Sequence, residues 1–310
     1  NIGFRMNDLV VDRQNQVWMG SLPGGINRYQ PNGFNHYGKK NGLSGDRVWA
    51  LEEDQNGNIW IGTLDDGINI FTEKGIIHLG KEQGLLDNII RAITADRKGN
   101  IWIGSSKGLT KFDGQSFTFF TQAQGIEGVE SIMEDSQGRL WIGTSQKGIF
   151  LFDQQSVQHY YKDRYSFNYF FEDSQGRVWT KMPFETGVIC FQNNGFVKLS
   201  SDQEFPNKEI HSILEDSRGI IWLGTHQGLY YLNDQGFRLI ENNVALANDN
   251  IVSIMEDPQN RLWIATNKGL HLLVMDKENQ EPGGRNDQFF FFGKSDGIRN
   301  FDFSYNATLI

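Results

Sequence analysis

Apolar and polar residues alternate along this chain in short runs. From Val48 the segment VWALEED is a short β-type run, apolar over Val48 to Leu51 and acidic from Glu52 to Asp54. NIWIGT, GINIF and IIHL follow it, with turn-type residues at each joint. Alternation with a period of two, in runs of this length, predicts half-buried β-strands. No 3.6-residue period competes with it anywhere.

The same four-run pattern returns seven times. Aligned on the tryptophan of NIWIGT, it is centred on Trp18, Trp60, Trp102, Trp141, Trp179, Trp222 and Trp263. An aspartate lies six residues before each tryptophan: Asp12, Asp54, Asp96, Asp135, Asp173, Asp216 and Asp257. Three residues after each aspartate stands Gly or Asn, from Asn15 and Gly57 to Gly219 and Asn260. Gly and Asn tolerate the left-handed backbone of a tight hairpin, and the Asp side chain can bond the turn amides. A second glycine precedes each third run, as at Gly67 and Gly148.

Four antiparallel strands repeated about every 40 residues are the pattern of a β-propeller blade. A single such sheet has two faces to bury and is not stable alone. The sequence therefore predicts an all-β, seven-bladed β-propeller with four antiparallel strands per blade, spanning 1–293. Residues 294–310, SDGIRNFDFSYNATLI with its preceding lysine, resemble the lead-in to a further first strand. Either they continue into another strand or module of a longer protein, which we favour, or they help close the ring.

Composition narrows the function. The 310 residues are 38% hydrophobic and 22% charged, enough for a packed core. The net charge of −9 argues against nucleic acid or an anionic membrane surface as the main partner. No run of 18 apolar residues exists, so no direct membrane insertion of this segment is expected. Cys190 is the only cysteine, which excludes an intrachain disulfide. No cofactor is called for. DQNGN is only faintly like a calcium loop, having one acid where such a loop needs several, so no metal is expected.

The phrase I-x-E-D-x-x-G-x-L-W-I-G-T-x-x-G-L resembles the two-component regulator propeller repeat. It reads SIMEDSQGRLWIGTSQKGIF from Ser131 and SILEDSRGIIWLGTHQGLYYL from Ser212. The resemblance covers all seven copies and is weakest in the fifth. It implies the extracytoplasmic, periplasmic sensor of a bacterial membrane-bound regulator, such as a hybrid histidine kinase or a cyclase protein. Many of those respond to polysaccharide-derived sugars. It also implies partner modules in a full-length chain: a further propeller, an immunoglobulin-like module, a membrane helix and a cytoplasmic signalling domain.

Function in a repeat protein is expected where the copies disagree. The repeated Trp stands at one place in every second strand, so it is read as inter-blade packing and not as a sugar platform. Five residues before each turn Asp the chain reads Asn7, Trp49, Arg91, Glu130, Asn168, His211 and Val252. The residue just before is always apolar: Met6, Val48, Ile90, Val129, Phe167, Ile210 and Ile251. One position is constant in kind and the next is free, at the upper end of the first strand. Trp49 is the one tryptophan outside the repeated phrase. The loop between second and third strands adds Asp65, Asp66, Lys107, Gln146, Phe184, His226 and Lys268 at the same end. The fifth copy breaks the pattern with VWTKMPFETG, and the aromatic-rich lead-in before it carries Arg164 and Tyr165. The candidate ligand-binding residues are thus Trp49, Arg91, Glu130, Asn168, His211, His226, Tyr165, Phe184 and Lys107. Such a set suits a polar ligand with apolar faces, an oligosaccharide or a peptide.

Two other readings stay open. One is a protein-interaction or homodimerisation platform of the same sensor. The other is an enzyme, since propellers also carry lyases and glycoside hydrolases. A lyase would use His211 or His226 with Glu130 or Arg91 nearby, and a hydrolase two carboxylates such as Glu130 and Asp65. The sequence shows no nucleophile motif, phosphate loop or HExxH, so no catalytic residue is assigned.

Overall fold

The computed structural model describes residues 5–292, apart from 15, 23, 31–32, 154–155, 183–186, 193–194, 200–208, 241–245, 247–249, 258, 267, 277–280 and 285. The described strands form seven antiparallel sheets of four, each built from consecutive strands in chain order. The fold is an all-β, seven-bladed β-propeller. The second blade shows the plan: Val48–Glu53, Ile59–Thr63, Ile68–Thr72 and Gly75–Leu79. Blades one to four belong to one compact unit ending at Phe170, and blades five to seven to a second beginning at Phe171. The seventh blade ends with the strand Gln288–Phe292. The proposed tail, 294–310, lies outside the described residues.

The turn aspartates do more than shape a hairpin. Asp54 accepts the amides of Asn56 and Asn58 on Oδ1, at 2.8 and 2.9 Å. Its Oδ2 accepts the indole N–H of Trp60 at 3.0 Å. The same indole-to-carboxylate bond recurs in all seven blades, from Trp18–Asp12 to Trp263–Asp257. A buried indole N–H needs a partner, and the spacing of six delivers one across the hairpin. In the second to seventh blades the residue three after Asp has positive φ, from 73° at Gly176 to 84° at Gly99, and 59° at Asn260.

Within each unit the tryptophans face the next blade, as the repeat implied. Trp60 packs with Ile90, Ile93, Ile101 and Ile103 of the third blade, and Trp102 with Val129, Leu140 and Ile142 of the fourth. Six of the seven are buried; Trp263, in the last blade, is half-buried. In the first, second, third and sixth blades the glycine two residues after the tryptophan forms a socket for the constant apolar residue of the following blade. A Cβ on Gly62 would stand 2.7 Å from Ile90 Cγ2, and one on Gly104 2.6 Å from Val129 Cγ1. Gly224 receives Ile251 in the same way in the second unit.

A second latch joins neighbours at the turn end. Glu134 accepts the amide of Arg97 at 2.9 Å, and Glu256 that of Ser217 at 2.7 Å. Glu53 and Glu215 do likewise for Arg13 and Ser174. The Glu of the repeated Glu-Asp pair therefore binds the preceding blade, while the Asp serves its own.

Candidate functional site

The variable position is a β-bulge. Val48 pairs with Thr63 and Ala50 with Gly62, so Trp49 is skipped in the ladder. Glu130, His211 and Val252 are skipped identically, and the break also falls at Asn7 and Arg91. A bulge leaves one residue unpaired and re-aims its side chain. The constant apolar residue before it is committed to the neighbouring socket. The bulged residue sits at the end of the blade where the second strand turns into the third; Trp49, Arg91 and Glu130 are half-buried there, while His211 and Val252 are buried. The fifth blade departs from this plan. Its first strand shrinks to Phe171–Glu172, so Asn168 lies before the strand, exposed, and Tyr165 lies half-buried in the lead-in. Phe184 falls outside the described residues, as does the side chain of Asn7.

In the first unit two bulge residues meet. Arg91 Nη1 donates to both oxygens of Glu130, at 2.7 and 2.9 Å. The Glu130 side chain is 9% exposed and that of Arg91 36%. Arg91 Nε is buried without a hydrogen-bond partner among the described residues. A buried donor left unmet costs about 1–3 kcal/mol. Beside it opens a cavity of about 240 Å³, lined by Arg91, Ser106, Glu127, Gly128, Glu130, Ser145, Gln146 and Lys147. Its loops are stitched together: the Gly128 amide donates to the Ser106 carbonyl, and the Ser145 amide to that of Gly128. Gly128 has φ +62°, and a side chain there would overlap Ser145 Oγ. Trp49, half-buried, and Lys107, exposed, do not line this cavity.

Sequence reasoning placed Arg91, Glu130 and Gln146 at this end but missed Ser106, Glu127, Ser145 and Lys147. Lys147 directly follows Gln146, and Ser106 directly precedes Lys107. The loop was identified, but which of its residues turn into the cavity depends on the backbone.

The second unit holds a different cluster. Lys181 stands where the other blades have the socket glycine, or alanine in the seventh, and Met182 where they have Thr or Ser. Its Nζ donates to the His211 carbonyl at 3.1 Å. His226 accepts the Glu209 amide on Nδ1 at 3.0 Å. Burial drives the Lys181 amine down to about 7, against an opposing pull from Glu209. Burial also lowers the His211 imidazole to about 4, helped by Lys181 and His226. Lys181 is thus a broken repeat rule that puts a poorly charged amine against the bulge of the next blade. An amine depressed in the folded state binds fewer protons there than in the unfolded chain. The Lys181 contribution to stability should therefore rise with pH from about 7 toward the unfolded value near 10.4. Urea titrations of wild type and Lys181→Met across that range check this, and the variant should lose the slope.

The carboxylates suggested for hydrolysis are engaged elsewhere. Glu130 is bound by Arg91, and Asp65 lies 3.7 Å from Arg47. His211 and His226 belong to the second unit, Arg91 and Glu130 to the first.

Five segments, 42–65, 84–107, 126–146, 204–227 and 245–268, match the family described as two component regulator propeller. The chain carries two-component regulator propeller repeats. These segments run from each blade's lead-in to the loop between its second and third strands, and so include both the turn Asp and the bulge residue. No curated protein matches the chain. Among solved structures, the extracellular domain of a hybrid two component system from B. thetaiotaomicron aligns at 20% identity and TM-score 0.56. The alignment covers 90% of this chain and 48% of that one, so the repeat-bearing chain spans about half the length of that domain. Inactive virginiamycin B lyase from Staphylococcus aureus with quinupristin aligns at 15% identity and TM-score 0.62, covering 86% and 93%. YCF48 bound to D1 peptide aligns at 12% identity and TM-score 0.61, covering 89% and 94%. At these identities the likeness is one of fold. Among the described residues, no helix is long and apolar enough to cross a membrane.

Proposed function

We propose that this chain is the ligand-sensing propeller of a bacterial membrane-bound regulator, of two-component or cyclase type, and acts outside the cytoplasm. Its ligand is an oligosaccharide or another polar small molecule, bound at the bulge end of the blades, and the domain itself turns over no substrate. The observation that carries the reading is the bulge. Blade after blade keeps the socket residue apolar, then changes the next residue and frees it from the ladder. A scaffold that spends a register break in six blades on a position of changing chemistry is built to present side chains.

An oligosaccharide array followed by calorimetry tests it. Binding should be lost, by more than about thirtyfold, in Trp49→Ala with a melting temperature near wild type, and in Arg91→Ala with a lower one, because that change strands the nearly buried Glu130 carboxylate. Unchanged affinity in both variants would place the ligand elsewhere. A homodimer or protein-interaction platform is the second reading, favoured by Phe290 and Phe291, 45% and 53% exposed on the last described strand. Absence of any glycan binding, with a dimer in sedimentation, would select that reading.

A further inference from the structure

We propose that the cavity between the third and fourth blades takes a free α-amino acid, its ammonium group met by Glu127 and its carboxylate by Lys147 and Ser145. This rests on the reading that the bulge end binds ligand, and it names the chemical class bound there. The cavity lies where the lead-in to a first strand is short. Four residues separate the buried Leu43 from Val48 in the second blade, and four separate Leu85 from Ile90 in the third. Only Glu127 and Gly128 separate Ile126 from Val129 in the fourth. In the longer lead-ins the second residue before the socket residue is spent on the backbone. Asp46 Oδ1 accepts the Lys39 amide at 2.7 Å, and Asn88 Oδ1 the Lys81 amide at 3.0 Å. Glu127 holds that place in the fourth blade, and its carboxylate has no partner among the described residues.

The rest of the lining is unspent in the same way. The side chains of Ser145, Gln146 and Lys147 make no hydrogen bond or ion pair among the described residues. Glu127, Gln146 and Lys147 are exposed and Ser145 is half-buried. Held by no ion pair, the Glu127 and Lys147 side chains are free to turn toward a guest. Arg91 and Glu130 neutralise each other. Glu127 and Lys147 do not pair, so the cavity offers one uncommitted charge of each sign. An acid alone, or an amine alone, answers one charge and leaves the other. A neutral sugar strips water from both and returns no charge to either. A zwitterion answers both and keeps the site neutral. Ammonium and carboxylate on one carbon suit a cavity of about 240 Å³, whereas an extended tripeptide spans about 10 Å.

L-serine is the probe, titrated by calorimetry beside N-acetyl-L-serine, which lacks the ammonium group, and L-serine methyl ester, which lacks the carboxylate. L-serine should bind saturably, and each derivative about tenfold more weakly, because each loses one charge-assisted contact. Glu127→Gln should weaken L-serine about tenfold and leave N-acetyl-L-serine unchanged. Lys147→Met should weaken L-serine about tenfold and leave the methyl ester unchanged. Both side chains are exposed, so the variants should melt with the wild type. No saturable binding of L-serine, equal binding of L-serine and either derivative, or an L-serine affinity indifferent to either substitution overturns the proposal. If neutral oligosaccharides then still bind with dependence on Trp49, the sensor reading stands and only the amino acid falls. If they do not bind either, both fall.

Discussion

Asp54→Ala should lower the unfolding free energy by about 3–5 kcal/mol, read by urea denaturation at neutral pH. The side chain is almost wholly buried and accepts four hydrogen bonds, from the Asn56 and Asn58 amides, the Asn58 side chain and the Trp60 indole. Alanine removes the acceptor and strands the donors. Bonds to a charged group contribute about 1.5–3 kcal/mol, and an unmet buried donor costs about 1–3 kcal/mol. Trp60→Phe removes the indole donor and, at this buried site, also leaves a small cavity with its own cost. The double variant should be more stable than the sum of the two losses implies, because Asp54 and Trp60 share one bond. Additive costs would show that the indole bond does not matter. Acid provides an independent check. Burial pushes the Asp54 carboxyl up, but the bonds from Trp60, Asn58 and Asn56 outweigh it and hold it below its usual value. Asp257 is likewise held down, to about 2, against its burial, by Arg261, Trp263 and turn amides. A depressed folded value adds stability above the unfolded value of about 3.9, and that stability is lost as pH falls through the folded value. The acid loss should begin below about pH 4, and Asp54→Ala should show a shallower one.

Gly143→Ala should cost about 3 kcal/mol, an unusually large effect for one methyl group. The new Cβ would overlap the carbonyl oxygen of Phe167 and stand 2.5 Å from Ser131 Oγ, which itself donates to that carbonyl at 2.9 Å. Backbone cannot rotate away as a side chain can, so the junction between the fourth blade and the lead-in to the fifth must open. Overpacking of this kind costs about 1–3 kcal/mol and more where the obstacle is rigid. Gly195→Ala is the control. It begins an outer strand with only Gln192 O, 3.9 Å away, near the added methyl, and should change stability by less than about 0.5 kcal/mol. Similar losses at both positions would remove the socket as the cause.

How far the site could be read in advance depended on the range of the interaction. The free position beside a constant apolar one was visible by aligning the copies, and it proved to be the bulge. The partnership of Arg91 with Glu130 was not, although both were candidates, because 39 residues separate them. Equivalent positions in successive blades are neighbours in any propeller, yet whether two side chains clasp each other or a ligand depends on rotamers and local packing. Lys181 was visible as a broken rule. Its target, the backbone of His211, was not, since a carbonyl in the next blade leaves no trace in the side-chain pattern.

The sequence by itself determined the blade: four strands, a hairpin closed by Asp and a left-handed Gly or Asn, and a tryptophan six residues later, seven times over. Each of these is a short-range matter of period, turn geometry and hairpin register, which the order of residues dictates. Only the tertiary structure decided what the repeat leaves unspent. The glycine sockets, the Glu latches between neighbours, the buried Nε of Arg91 and the cavity beside it arise where one blade meets the next. Their energies come from close contact between segments about 40 residues apart, and the alternation of apolar and polar residues does not record those contacts.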